Sequence, residues 1–287
     1  MTDFKNNHRW NSRKDKAFEY WGIFCTLAGF LALCFFIGKI GMDGLGRIDW
    51  DFITNHSSRR AEKSGILIPL LGSVYVLVFT ALFAFPIGLG AGVYLEEYSK
   101  KNKWSDLLEV NIANLAGVPS VIYGILGLTV FVQALDFGSS ILAASLTLSL
   151  LVMPIIIVST REAIKAVPKS IKEAAYGLGA TKWQTIWTQI LPASIGGVLT
   201  GVILALSRAI GETAPLIVVG ALLRASKVPV LPTDKFTVLP IQIFHWTGMP
   251  SEDFKTNAAA GIIILLVITF GLNFIAVYLR NKWQNKW

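Results

Sequence analysis

The chain has 287 residues, of which 53% are hydrophobic and 15% charged, with a mean hydropathy of +0.57 and a formal net charge of +8. A soluble domain carries roughly 25% charged residues, so a water-soluble globular fold is excluded. Apolar runs that reach the ~20 residues needed to cross a hydrocarbon core recur along the chain, which predicts an all-α polytopic membrane protein. The positive charge sits in short segments between these runs, so it speaks for orientation in a lipid bilayer and against nucleic-acid binding.

A polar head, residues 1–19, leads into a first span at Tyr20–Ile40 with no small-residue cleavage site, so no cleavable signal peptide is expected. Cys25 and Cys34 lie nine positions apart, about 180° around a helix, and read as two small packing residues that cannot bridge one another. An outer loop completes residues 20–64. The second span, Ile66–Leu95, carries Gly88 and Gly92 at small-xxx-small spacing, which suits close helix packing. The third, Val110–Leu135, is interrupted by Pro119 and several glycines, so its freed backbone groups must face protein or a wet cavity.

The fourth span is Ile141–Val158, and the fifth, Ala193–Leu222, repeats the glycine spacing at Gly197 and Gly201. An outer loop, 223–257, follows; its Pro- and Gly-rich turns flank an apolar segment that places Trp246 at the membrane interface and offers a surface for a binding protein. The sixth span, Ala258–Tyr278, ends in a tail at 281–287. With both termini inside, sixteen Lys and Arg fall in inside segments and eight in outside ones, which supports that orientation.

The longest inside loop between spans, 162–192, contains "KAVPKSIKEAAYGLGATKWQTIWTQILPAS". Ser170 with Glu173, and Thr181 with Gln184, each have capping-box spacing, so two short helices are predicted to start near residues 171 and 182. Gly177 and Gly179 between them suit a helix end and a tight turn. The resulting hairpin presents Tyr176, Leu178, Trp183, Ile186 and Trp187 as an apolar, aromatic surface. Such a hairpin can lie on a membrane or be gripped by a partner.

In the fifth span, Arg208 and Glu212 are placed i and i+4, on one helix face at mid-membrane depth, with Ser207 and Thr213 beside them and Pro215 after. Charge at that depth costs ~3 kcal/mol or far more, and intramembrane ionisable groups commonly mark solute paths. The guanidinium fork suits an oxyanion. A neighbouring carboxylate accepts a hydrogen bond from protonated phosphate but repels sulfate. An internal salt bridge that locks helix packing is the alternative. His8, His56 and His245 are scattered, and no metal or Walker A motif occurs, so neither an enzymatic activity nor a nucleotide site is expected in this chain.

Glu173-Ala174-Ala175, then Gly179 six residues after the Glu, then Ile190-Leu191-Pro192, resembles the EAA loop of ABC importer permeases. Together with "GVPSVIYG" (117–124), "EAAYGLGATKWQTI" and "SRAIGETAP" (207–215), it makes the chain similar to the phosphate-specific (Pst) ABC transporter permeases, nearest the PstA branch, over roughly residues 65–280. The resemblance implies the type I ABC importer permease fold with six transmembrane helices, in a bacterial inner membrane. It implies three kinds of protein partner: a second homologous permease, a cytoplasmic ATP-binding subunit dimer, and an extracytoplasmic phosphate-binding protein. ATP and Mg would be bound by the ATPase, with no cofactor in this chain. It assigns ATPase coupling to Glu173, Ala174, Ala175, Gly179 and Ala180. It assigns a substrate path to Arg208, Glu212, Ser207, Thr213, Ser120, Tyr123 and Arg161, the last standing three residues after Val158, where the family commonly has an arginine. Competing readings are an ABC permease for another oxyanion and a proton-coupled secondary anion transporter.

Overall fold

The computed structural model describes residues 2–100, 102–221 and 227–284 of the chain, with side chains between residues 14 and 282. The expected end of the fifth span at Leu222, the first residues of the loop 223–257 and the last of the tail 281–287 lie outside the described residues. Among the described residues five helices are long and apolar enough to cross a membrane, and there are six spans if the bent pair at 103–134 counts as one. The described residues contain no strand.

The first helix, α1 (Thr2–Gly44), supplies most of the longest candidate span, Lys14–Arg47, whose apolar window is wholly exposed. It meets the rest of the chain near its end, where a β-carbon at Gly44 would come within 2.6 Å of the Ala259 backbone. Cys25 and Cys34 are free and exposed on this helix, so they are not packing residues within the chain. A short helix, α2 (Trp50–Thr54), is capped by the Asp49 side chain, which accepts from the Phe52 amide.

The packed centre is built from three helices: α3 (Leu67–Val93), α6 (Ile141–Lys165) and α9 (Leu191–Ala209). A β-carbon at Gly88 or Gly92 of α3 would strike Ile156 or Thr160 of α6 at 2.7 Å. On the other side, Gly197 and Gly201 of α9 meet Ala163 and Ser159 of α6 just as closely. Both small-residue pairs therefore bring their helices onto α6, as the spacing predicts. Polar contacts join them: Ser145 and Ser149 donate to the carbonyls of Val76 and Thr80, each at 3.2 Å. The surrounding core includes Val76, Leu148, Val152, Ile156, Val198 and Val202.

The third span is broken. After α3 a π-turn (Tyr94–Tyr98) leads to α4 (Lys103–Leu115), and α5 (Ser120–Gly127), extended by a π-turn to Ala134, leaves α4 at 99°. Pro119 is the residue before α5; its ring fixes φ, here −55°, and it has no amide proton to orphan at the helix start.

At the loop end of the molecule, α7 (Lys169–Gly177) and α8 (Lys182–Thr185), with its π-turn to Ile190, form the hairpin. At the opposite end, α10 (Ala214–Val219) and α11 (Leu239–Thr247) precede α12 (Glu252–Gln284). Trp246 of α11 is buried, its ring 6.0 Å from that of Phe52, in a cluster with Ile66, Leu239 and Phe254. The expectation of an interfacial Trp246 is therefore corrected: residues from three separate segments close over it and build a second core.

Candidate functional site

The helix that carries Arg208 stops at Ala209. Residues 210–213 make a tight turn, in which the amides of Gly211 and Glu212 donate to the carbonyls of Arg208 and Ala209. Pro215 then stands in the first turn of α10, where its missing amide costs nothing. The expected single helix face is thus corrected to a pair straddling a break. Arg208 Nε still lies 3.7 Å from Glu212 Oε1. At that separation the contact is ionic and not a hydrogen bond. The Arg208 side chain is 49% exposed and that of Glu212 17%.

The exposed position follows from the face of α9. Val198, Gly201, Val202, Ala205 and Ala209 pack inward, whereas Leu204, Arg208 and Gly211 form an open stripe. Ser207 falls on the packed side, and its hydroxyl is buried without a partner. Thr213 turns its hydroxyl toward the Gly211 carbonyl at 3.5 Å.

The two broken segments meet. A β-carbon at Gly124 of α5 would come within 2.7 Å of the Pro215 α-carbon and 3.0 Å of the Val218 side chain. Tyr123 directly precedes Gly124 on this short helix. Its hydroxyl donates to the Leu115 carbonyl at 2.8 Å and so satisfies an acceptor freed at the end of α4. Ser120, partly buried, opens the same short helix. Arg208, Glu212, Thr213, Ser120 and Tyr123 therefore belong to one region where both spans break.

Arg161 does not. Ser159 lies against Gly201, so Arg161 stands about 3 Å toward the hairpin end and Arg208 about 10 Å the other way. The Arg161 guanidinium is bound by Glu109 at 2.8 Å and faces Glu96 at 3.6 Å. Two carboxylates thus face it, away from the region of the two breaks.

The hairpin is formed by backbone logic that the sequence partly shows. The Gly179 amide donates to the Tyr176 carbonyl and the Ala180 amide to the Ala175 carbonyl, the two bonds of a Schellman ending, with Gly179 at φ +83°. Thr181 follows at once as the cap of α8, with both capping-box bonds to Gln184 present. The Ser170–Glu173 box does not form, because α7 starts at Lys169, two residues before the expected 171, after Pro168 at φ −57°. Ser170 therefore lies within the first turn. Glu173 and Ala174 are exposed and Ala175 is partly so. Tyr176, Leu178, Trp183 and Trp187 are exposed as expected, but Ile186 is buried against Ile164 and Ile190 and holds the hairpin to α6.

The sequence reading missed the acidic pair in "YLEEY", the π-turn after α3. Glu96 faces Arg161, and Glu97 is bonded to Lys172 of α7. Two adjacent carboxylates at the end of a span, with basic residues in later segments, are the signal that was available.

A family model described as "Binding-protein-dependent transport system inner membrane component" matches residues 84–285. The chain is 31% identical to a probable ABC transporter permease, YqgI of Bacillus subtilis, over 88% of this chain and 91% of that one. It is 28% identical to the phosphate transport system permease PstA of Haemophilus influenzae, over 95% and 96% of the two. The fold is similar to that of the alginate ABC transporter crystallised with its alginate-bound periplasmic protein, at TM-score 0.67 and 14% identity over 96% of this chain and 98% of that one. The inward-facing MetNI methionine ABC transporter is also similar, at TM-score 0.60 and 19% identity over 74% of this chain and 94% of that one.

Proposed function

The chain belongs to the binding-protein-dependent transport system inner membrane components, the permease subunits of ABC importers, and we propose that the solute it passes is inorganic phosphate. It has the type I importer fold and is an integral membrane protein.

The observation that carries the phosphate reading is the half-exposed Arg208 beside Glu212 at the break between α9 and α10. An arginine on an open apolar stripe cannot face lipid at low cost, so a polar path or partner must cover it. Among the described residues its guanidinium has no hydrogen bond, which leaves its planar fork free for an oxyanion. Glu212 then discriminates: near neutral pH phosphate retains a proton that a carboxylate can accept, whereas sulfate has none. Tyr123, Ser120 and Thr213 line the same region. The PstA relatives, named for phosphate transport, support this solute, while the name of YqgI gives none.

In this reading both termini and the hairpin are cytoplasmic. Glu173, Ala174, Ala175, Gly179 and Ala180 contact an ATP-binding subunit, a second permease completes the path, and a phosphate-binding protein docks at the opposite face. ATP hydrolysis belongs to the ATPase, and this chain supplies shape and charge. The test is labelled phosphate uptake by membrane vesicles containing the whole complex. Unlabelled phosphate is expected to compete and excess sulfate to have little effect; equal competition by sulfate would point to a general oxyanion importer.

A further inference from the structure

We propose that Glu97 and Lys172 are a positioning pair, fastening α7 to the membrane helices so that a push on the hairpin reaches the broken spans. The inference rests on the reading of the hairpin as the ATPase contact. The two halves of the hairpin are held differently. The α8 half is anchored by apolar packing, through Ile186 and Ile190 on Ile164. In contrast, α7 buries none of its residues. Among the described residues, the ion pair that joins it to another element is Lys172 Nζ to Glu97 Oε1.

That pair is not a surface contact of negligible worth. The Glu97 side chain is 6% exposed and that of Lys172 22%. A carboxylate so buried requires its partner, because removing either charge leaves the other unpaired in a poorly solvated place.

The ionic contacts continue from there. Glu97 adjoins Glu96 in the π-turn, an element often found at functional sites. Glu96 faces Arg161 of α6 at 3.6 Å, and Arg161 bonds to Glu109 of α4 at 2.8 Å. The Arg161 Nε is buried with no hydrogen bond, so this guanidinium is held by charge on one edge and by a bond on the other. Lys165 adds a weaker contact to Glu109 at 3.9 Å. The next link is covalent: α4 runs into the break before α5, and α5 packs on Pro215 through Gly124. Each contact joins a different element, so displacement of α7 is passed to α3, α6 and α4, and from α4 to the turn that holds Glu212. Physical continuity of this kind is a route for coupling, and coupling measurements decide whether it is used.

The experiment uses the assembled transporter in proteoliposomes, with Glu97→Lys, Lys172→Glu and the double exchange. Three quantities are measured: ATPase recovered with the permease, ATP hydrolysis stimulated by the loaded binding protein, and solute taken up per ATP. Each single reversal is expected to retain the ATPase, since the Schellman turn and the Thr181 cap are untouched. Uptake per ATP should fall on the order of 2- to 30-fold, the range that coupling mutations span. The double exchange should restore most of it. If the single reversals do not assemble, the paired neutral variant Glu97→Gln with Lys172→Met, which leaves no unpaired buried charge, should assemble and remain poorly coupled. Wild-type uptake per ATP in an assembled single reversal, or in the neutral pair, overturns the proposal; so does a double exchange that assembles without recovery. Failure of the wild-type chain to recover an ATPase would instead overturn the reading of the hairpin.

Discussion

Gly124 and Pro215 touch so closely that a β-carbon on Gly124 would stand 2.7 Å from the Pro215 α-carbon. The Pro215 carbonyl at 3.1 Å and the Val218 side chain at 3.0 Å, both on α10, crowd the same position. The contact unites the two interrupted spans, and backbone, unlike a flexible side-chain end, cannot yield cheaply. Gly124→Ala should therefore destabilise the permease by about 1–3 kcal/mol, the usual cost of overpacking. Thermal unfolding of the detergent-solubilised complex should show a midpoint lower by several degrees; an unchanged midpoint would mean that the two segments are loosely packed.

Gly179 offers the opposite case, because no atom stands within 4 Å of its missing β-carbon while its φ is +83°. Any effect of substitution there comes from backbone conformation. Gly179→Val should cost about 1–2 kcal/mol locally and open the Schellman turn, whereas Gly179→Asn tolerates the left-handed region. In a pull-down the valine variant should lose the ATPase and the asparagine variant retain it. Equal recovery of both would separate hairpin geometry from ATPase binding.

Asp234 governs a turn at the end of the molecule opposite the hairpin. Its carboxylate accepts from the amides of Leu231 and Val230, each at 2.8 Å, and these bonds hold its pKa below the ordinary aspartate value of 3.8. The carbonyls of Asp234 and Pro232 accept in turn from Ile141 and Leu142, the first amides of α6. A depressed carboxyl pKa contributes stability that is present above the unfolded value and lost as pH falls through the folded one. Hydrogen exchange at Val230 and Leu231, corrected for intrinsic rates, should show constant protection down to about pH 3.8 and loss below it. Loss near pH 6 would assign the turn to another group.

The spans and their packing were legible because local spacing carries them. Gly88 with Gly92 and Gly197 with Gly201 announced close approach, and both pairs meet α6. Thr181 announced its own capping box, since all its partners lie within three residues. Ser170 misled because Pro168 fixes the helix start first. The Arg208–Glu212 spacing fits a continuous helix as well as a break, so Pro215 announced a local distortion but not the full break at 210–213. The surroundings of Trp246 and Arg161 stayed hidden for a different reason. Phe52 and Ile66 around the first, and Glu96 and Glu109 around the second, come from distant segments, and no periodicity reports such meetings.

Arg208 and Glu212 should do separate work on the solute. A dianion at this depth without a cation faces a desolvation penalty of several kcal/mol, so Arg208→Leu should abolish uptake. Arg208→Lys retains charge and loses the fork, which should leave activity between that of the leucine variant and wild type. Glu212→Gln should weaken uptake and also narrow the preference for phosphate over sulfate.

The most direct measurement is phosphate uptake by vesicles holding the assembled complex with Arg208→Leu, at matched protein and ATPase levels. Loss of uptake with normal assembly is expected. Full uptake by that variant would contradict it and return Arg208 and Glu212 to a packing role.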